Sequence, residues 1–123
     1  MVLQHKKRIL IAEDEASLSR AMQLRLQKSG YTVGVAANGK AAKKELDGHH
    51  YDLILLDLIM PVQDGFAVLD HINQQHYALP VIIMTNLTHE EDKQRCRDLG
   101  AKQFIVKADI SLREFDRIVD ACF

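Results

Sequence analysis

LILLDLIMP, residues 53 to 61, sets one carboxylate among eight apolar or imino residues. An ionised side chain in such a run must be paired or carried to a surface, because burying a lone carboxylate is heavily penalised. The stretch Tyr51 to Leu56 (YDLILL) is short and apolar without polar alternation, as expected of a strand covered on both faces. Asp57 is then the residue that this strand delivers to its C-terminal end.

Working outward, further short runs have the same character. Arg8 to Ala12 (RILIA), Pro80 to Met84 (PVIIM) and Gln103 to Val106 (QFIV) read as strands, and Tyr31 to Val35 (YTVGV) as a weaker one nearer an edge. Helical stretches separate them. The first carries Leu18, Ala21, Met22 and Leu26 on one face and stops at Gly30, a residue suited to the positive φ beyond a helix end. The second runs from Asn38-Gly39 to Gly48, and the third starts near Asp64-Gly65 and offers Phe66, Leu69 and Ile72. A capping box of Thr88 with Glu91 opens the fourth, which stops at Gly100. A second box, Ser111 with Glu114, opens the fifth, with Leu112, Phe115, Val119 and Cys122 expected to face inward.

Five βα units in succession predict a doubly wound α/β domain, a five-stranded parallel sheet with right-handed crossovers and helices on both faces. The expected strand order is 2-1-3-4-5, the flavodoxin-like (βα)5 arrangement. No repeat, low-complexity tract or linker interrupts it, so residues 1–123 are read as one domain. With 47% hydrophobic and 27% charged residues, the chain has the make-up of a folded globular protein. A formal net charge of -1 with well-mixed signs gives no bulk attraction to nucleic acid or membrane. The basic run His5, Lys6, Lys7, Arg8 reads as a solvated edge. The apolar Ile9 to Ala12 is too short for a signal peptide and is closed by Glu13, Asp14 and Glu15. Cys96 and Cys122 fit neither a disulfide framework nor metal spacing, and the six histidines lack ligand spacing, so a cytoplasmic protein with reduced thiols is expected.

In such folds ligands bind beyond the C-terminal ends of the strands, where strand order reverses. The strand ends here bring Glu13-Asp14, Ala36-Ala37, Asp57, Thr85-Asn86 and Lys107. With the first and third strands adjacent, Glu13, Asp14 and Asp57 meet in one pocket, with Thr85 and Lys107 along its rim. Three close carboxylates repel one another and call for a cation. Mg²⁺ suits a few carboxylate oxygens plus waters and a phosphate oxygen. Lys107 and Thr85 suit the oxygens of a phosphoryl group. A carboxylate facing such a group is a candidate nucleophile, giving an aspartyl phosphate. Singly, each residue has a plainer reading: Asp57 as a turn residue, Glu13-Asp14-Glu15 as first-turn acids, Thr85 as a strand end, Lys107 as a solvated lysine, Phe104 as core. The case rests on their arrival at one edge of one sheet.

The motifs IAEDE (11–15), LLDLIMPVQDG (55–65), VIIMTN (81–86) and FIVKA (104–108) together resemble the receiver domain of two-component response regulators, a family that includes the chemotaxis-type single-domain regulators. The resemblance runs from about Lys7 to Phe123, and its most specific piece is DLIMPVQDG, with Pro61 four and Gly65 eight residues after Asp57. It implies that Asp57 is the phosphoacceptor, that Glu13 and Asp14 hold Mg²⁺ with Asp57 and the backbone carbonyl of Ile59, and that Lys107 pairs with the phosphoryl group. Thr85 and Phe104 would be the switch pair, whose rearrangement alters the face made by the fourth helix, fifth strand and fifth helix. It further implies a histidine kinase or histidine phosphotransfer protein as donor and a downstream protein target. A chain that catalyses only its own phosphorylation and slow dephosphorylation, as a monomer or weak phosphorylation-dependent dimer, would not be a turnover enzyme. With no output domain expected, regulation would run through another protein and not through DNA. Only Cys96 and Leu99 stand out as apolar anchors of the fourth helix, which suits an element that moves.

Two positions depart from the family pattern. Ala108 follows Lys107 where most members have proline, and a cis bond before alanine costs roughly 3 kcal/mol, so a trans peptide is expected. Asn86 follows Thr85 where the residue is usually small. It is expected at the phosphate, hindering the hydrolytic water or adding a hydrogen bond, with a perturbed phosphoryl lifetime. Three rival readings share this architecture. A flavin or nucleotide domain lacks its Gly-rich loop, whose place Glu13-Asp14-Glu15 occupies. A phosphatase of the haloacid-dehalogenase type lacks its second aspartate, since Ile59 stands there. A phosphorylation-independent interaction module with a receiver fold is the remaining alternative.

Overall fold

A computed structural model describes residues 6–123; His5 of the basic run lies outside the described residues. The strands Arg8–Ala12 (β1), Thr32–Ala36 (β2), Leu53–Leu56 (β3), Val81–Thr85 (β4) and Gln103–Val106 (β5) form one parallel sheet in the order 2-1-3-4-5. The helices are Ala16–Lys28 (α1), Gly39–Gly48 (α2), Gly65–Gln74 (α3), Glu90–Asp98 (α4) and Leu112–Asp120 (α5).

The apolar runs do not alternate because both faces of the sheet are covered. Leu10, Ile54, Leu56 and Ile83 point into a core closed by Ala42 and Leu46 of α2, Val68, Leu69 and Ile72 of α3, and Cys96 of α4. Their neighbours Ile9, Ile11, Leu53, Leu55, Ile82 and Met84 point the other way, against Met22 and Leu26 of α1 and Phe115 and Val119 of α5. β2 and β5 lie at the edges and are only partly covered, which accounts for their mixed composition. No helix among the described residues is long and apolar enough to cross a membrane.

The element ends follow from local chemistry. Asn38 accepts a hydrogen bond from the Ala41 N–H at 2.8 Å and Asp64 one from the Ala67 N–H at 2.9 Å, capping α2 and α3. The expected Ser111–Glu114 box caps α5. Gly30 and Gly100 have φ of 100° and 90°, closing α1 and α4 in the left-handed region as read from sequence. Pro80 lies just before β4, where it gives up no ladder N–H and its carbonyl accepts from Ile54 at 3.1 Å.

Three expectations are corrected. The Thr88–Glu91 capping box does not form: α4 starts at Glu90 with His89 as N-cap and no side-chain cap, and Glu90, Glu91 and Asp92 in the first turn complement the helix dipole instead. Leu112 is 64% exposed, because the first turn of α5 faces a cleft mouth beside Ile110 and not the core. On α1, Ser19 is buried in place of Ala21, its hydroxyl satisfied by the Ala16 carbonyl at 3.1 Å.

A β-carbon added at Gly65 would stand 2.3 Å from the carbonyl oxygen of Asp57 and 2.8 Å from the Leu58 Cα. Gly65→Ala is therefore expected to destabilise the fold by about 2 kcal/mol or more, read as a lowered midpoint in urea. Burial pushes the Cys96 thiol up to about 11. Alkylation at pH 8 should accordingly label Cys122 alone in the folded protein and both thiols in urea, as counted by intact mass.

Candidate functional site

Register assembles the site. Ala12 pairs with Leu56 across β1 and β3, so Glu13 and Asp57 leave neighbouring strands at the same level. The ladder continues one step beyond the strands, with the Asp57 N–H on the Ala12 carbonyl at 3.0 Å and the Glu13 N–H on the Ala36 carbonyl at 3.0 Å. Both side chains are buried, at 5% and 2% exposure, while Asp14 is exposed. One carboxylate oxygen from each of Glu13, Asp14 and Asp57 lies within 4.8 Å of the others. The three expected acids therefore do meet.

Lys107 stands at the start of a short 3-10 turn, Lys107–Asp109, directly after β5. Its ammonium reaches across the end of β4 to donate to Asp57 Oδ2 at 2.7 Å and to Glu13 Oε1. The remaining carboxylate oxygens are also met: Ile59 N–H donates to Asp57 Oδ1 at 3.2 Å, and Glu15 N–H to Glu13 Oε2 at 3.2 Å. Burial raises the Glu13 carboxyl above its ordinary value, against the pull of the Lys107 ammonium and the Glu15 amide. For Lys107 burial pulls downward, but the hydrogen bonds to Asp57 and Glu13 outweigh it and the ammonium is held above its usual range. The contact with Glu13 goes beyond the sequence expectation, which pairs Lys107 with the phosphoryl group. The signal was present: three acids and one lysine converging on one strand edge.

The residues on the rim follow from the same sheet. Thr85, fully buried at the end of β4, accepts a 3.4 Å hydrogen bond from the Leu87 N–H. Phe104 pairs with Ile83 in register. Alternate strand residues share a face, so Thr85 and Phe104 lie on the same α4-facing side, one step apart. Phe104 is half-buried, with the Lys93 ammonium of α4 5.8 Å from its ring centroid, and is not part of the acidic cluster. Asn86 Oδ1 accepts from the Ala108 N–H at 3.1 Å, so the phosphate contact expected of it competes with a bond already made. The described peptides are all trans, as anticipated for Lys107-Ala108. After Asp57 the chain turns sharply. Val62 has φ 69° beneath a 2.8 Å bond from Gln63 N–H to the Pro61 carbonyl, a γ-turn of the strained kind. It presents Ile59 and Val62 to solvent, at 54% and 69% exposure.

The donor set fits a hard divalent cation: carboxylate oxygens, two of them buried and held by only one ammonium. Removing that ammonium leaves two buried like charges unopposed. Lys107→Met in the presence of a chelator is therefore expected to lose about 3 kcal/mol of stability. Millimolar Mg²⁺ should restore more stability to the variant than it adds to the wild type, as read in paired urea titrations.

Comparison with known proteins gives the family. The family model described as the response regulator receiver domain matches residues 9–119. The chain is 36% identical over 115 residues to the alkaline phosphatase synthesis transcriptional regulatory protein PhoP of Bacillus subtilis, covering 94% of this chain and 48% of that protein. It thus spans about half the length of the curated relatives it matches. Among solved structures, the Vibrio cholerae chemotaxis protein CheY4 superposes with a TM-score of 0.87 at 26% identity, covering 97% of this chain and 100% of that one. The Thermotoga maritima response regulator TrrA, solved in complex with Mg²⁺-BeF, superposes with a TM-score of 0.84 at 28% identity, covering 95% and 99%. With its acids, hydroxyl and lysine gathered at the end of a 2-1-3-4-5 sheet, the chain belongs to the response regulator receiver domain family.

Proposed function

We propose that this domain is a phosphorylation-dependent signalling switch that accepts a phosphoryl group on Asp57. The observation that carries the reading is the buried Asp57 carboxylate, presented at the end of β3 between the Lys107 ammonium and the acidic pair. A histidine kinase or histidine phosphotransfer protein would be the donor. A carboxylate oxygen of Asp57 forms the new P–O bond while the P–N bond of the donor's phosphohistidine breaks, its electron pair staying on the imidazole. Hydrolysis by water later returns the free carboxylate and inorganic phosphate.

Glu13, Asp14, Asp57 and the Ile59 carbonyl would hold Mg²⁺, which supplies positive charge against the phosphoryl oxygens. TrrA, a relative solved with Mg²⁺-BeF, supports that choice of ion. Lys107 leaves Glu13 to pair with the phosphoryl group, and the Thr85 hydroxyl leaves the Leu87 N–H to reach the same oxygens. Phe104, on the same side of the sheet, follows it inward. Because Phe104 packs under α4 through Lys93, this pair of moves reshapes the surface formed by α4, β5 and α5, and a protein target reads that surface. In this reading the domain works in the cytoplasm, where Cys96 and Cys122 stay reduced, as a monomer or as a weak dimer when phosphorylated. It is a signalling protein whose chemistry is confined to its own phosphorylation and slow dephosphorylation.

Incubation with acetyl phosphate tests the reading. Mass spectrometry of the intact protein should show one added phosphoryl group with Mg²⁺, none with chelator, and none in Asp57→Asn under either condition. No gain in wild type, under conditions that modify a related receiver, would turn the assignment toward a phosphorylation-independent interaction module.

A further inference from the structure

The bond from Ala108 N–H to Asn86 Oδ1 joins two loops, 22 residues apart in sequence, that flank the rim of the site. β4 and β5 pair as far as Thr85 and Val106, so Asn86 and Ala108 stand just beyond the last rung. Here a side-chain carbonyl takes the place that a backbone carbonyl holds lower in the ladder. The bond also orients the amide. A backbone N–H can only donate, so the oxygen of Asn86 must face Ala108 and its NH₂ group faces away.

What this bond fixes is the residue next to it. Lys107 is covalently adjacent to Ala108, and its ammonium must span from β5, an edge strand, across β4 to Asp57 on β3. Beyond Val106 the segment has left the sheet and is at least partly exposed: Lys107 and Ile110 are half-buried, Ala108 and Asp109 exposed. A trans peptide between Lys107 and Ala108 leaves the amide of residue 108 free to donate, which a proline there could not do. Asn86 and Ala108 are thus a single device: the side chain supplies the acceptor, and the absence of proline supplies the donor.

We propose that Asn86 is a positioning residue for Lys107, acting through its hydrogen bond to the Ala108 N–H and not by touching the phosphoryl group. The assignment rests on the phosphoacceptor reading of Asp57 and Lys107. It makes the effect of residue 86 conditional on residue 108, which a direct contact with phosphate would not.

Two measurements test it. The first is the rate of Asp57 phosphorylation by acetyl phosphate with Mg²⁺ in wild type, Asn86→Ala, Ala108→Pro and the double variant. Asn86→Ala should slow the wild type about fivefold, the size of one neutral hydrogen bond, yet slow the Ala108→Pro protein by less than about 1.5-fold, since no N–H remains there to be held. Equal slowing in both backgrounds would place Asn86 on the phosphoryl group and overturn the proposal, as would no slowing in either. The second measurement uses unphosphorylated protein and does not depend on Ala108→Pro folding. Amide exchange of Ala108, followed by NMR, should quicken about tenfold in Asn86→Ala and stay near wild type in Asn86→Asp, which keeps the accepting oxygen. Unchanged exchange in Asn86→Ala would overturn the tie. If wild type takes no phosphoryl group at all, the functional reading fails, and the exchange comparison alone decides the tie between Asn86 and Ala108.

Discussion

Two buried carboxylates share one ammonium, and the upper edge of the sheet is organised around that imbalance. Glu13 and Asp57 come from adjacent central strands, while Lys107 comes from the far edge and must lean across β4 to reach both. Desolvation penalises all three charges, and their mutual attraction offsets that penalty only while the geometry holds. Each carboxylate therefore keeps a second partner, a backbone N–H from the loop that follows it. The site in this form is satisfied but not saturated, with the exposed Asp14 beside it taking no part in the pairing with Lys107. A charged group brought to Asp57 would compete for the Lys107 ammonium, whose contacts join β1, β3 and β5.

Around this edge the helices are held with very unequal strength. α3 buries Phe66, Val68, Leu69 and Ile72, whereas α4 buries only Cys96. The rest of α4 is charged but for Gln94, and its pairs of Glu90 with Lys93 and Arg97 are long, at 3.8 Å, and contribute little in water. Its other ties include cations over rings, with Arg95 4.0 Å from the Phe66 centroid and Lys93 5.8 Å from that of Phe104, and the Asn73 amide donating to the carbonyl of its C-cap Leu99 at 2.7 Å. An element with so little buried apolar surface opens locally at low free energy. The Phe104 contact makes α4 sensitive to whatever moves that ring.

Much of this was legible in the sequence because the fold turns composition into position. β1, β3 and β4 are dominated by apolar residues since both of their faces are covered, and Asp57, which alone also reads as a turn residue, stands out because Glu13, Asp14, Thr85 and Lys107 arrive at the same edge. Register then did what sequence cannot: it set Glu13 level with Asp57. The misreadings share one cause. Thr88 with Glu91 fits a capping box by spacing, but α4 starts at Glu90 with His89 as N-cap, one residue too late for Thr88 to cap it. Leu112 has the right period for the core yet lies on the turn that overhangs the cleft. Spacing alone also gave no sign that the Asn86 side chain meets the Ala108 amide on another loop. Local spacing does not say where a second loop will pass.

Gly65 sets the N-terminus of α3 against the backbone of Asp57 so closely that no side chain fits between them, and its N–H bonds the Leu58 carbonyl at 3.1 Å. Packing beside Asp57 is thus tight at α3, whereas α4 contributes one buried residue, Cys96. A charge added at the carboxylate would therefore find less buried packing to displace at α4 than at α3. Unequal packing of the two helices would thus give a disturbance at Asp57 a preferred side before any partner is met.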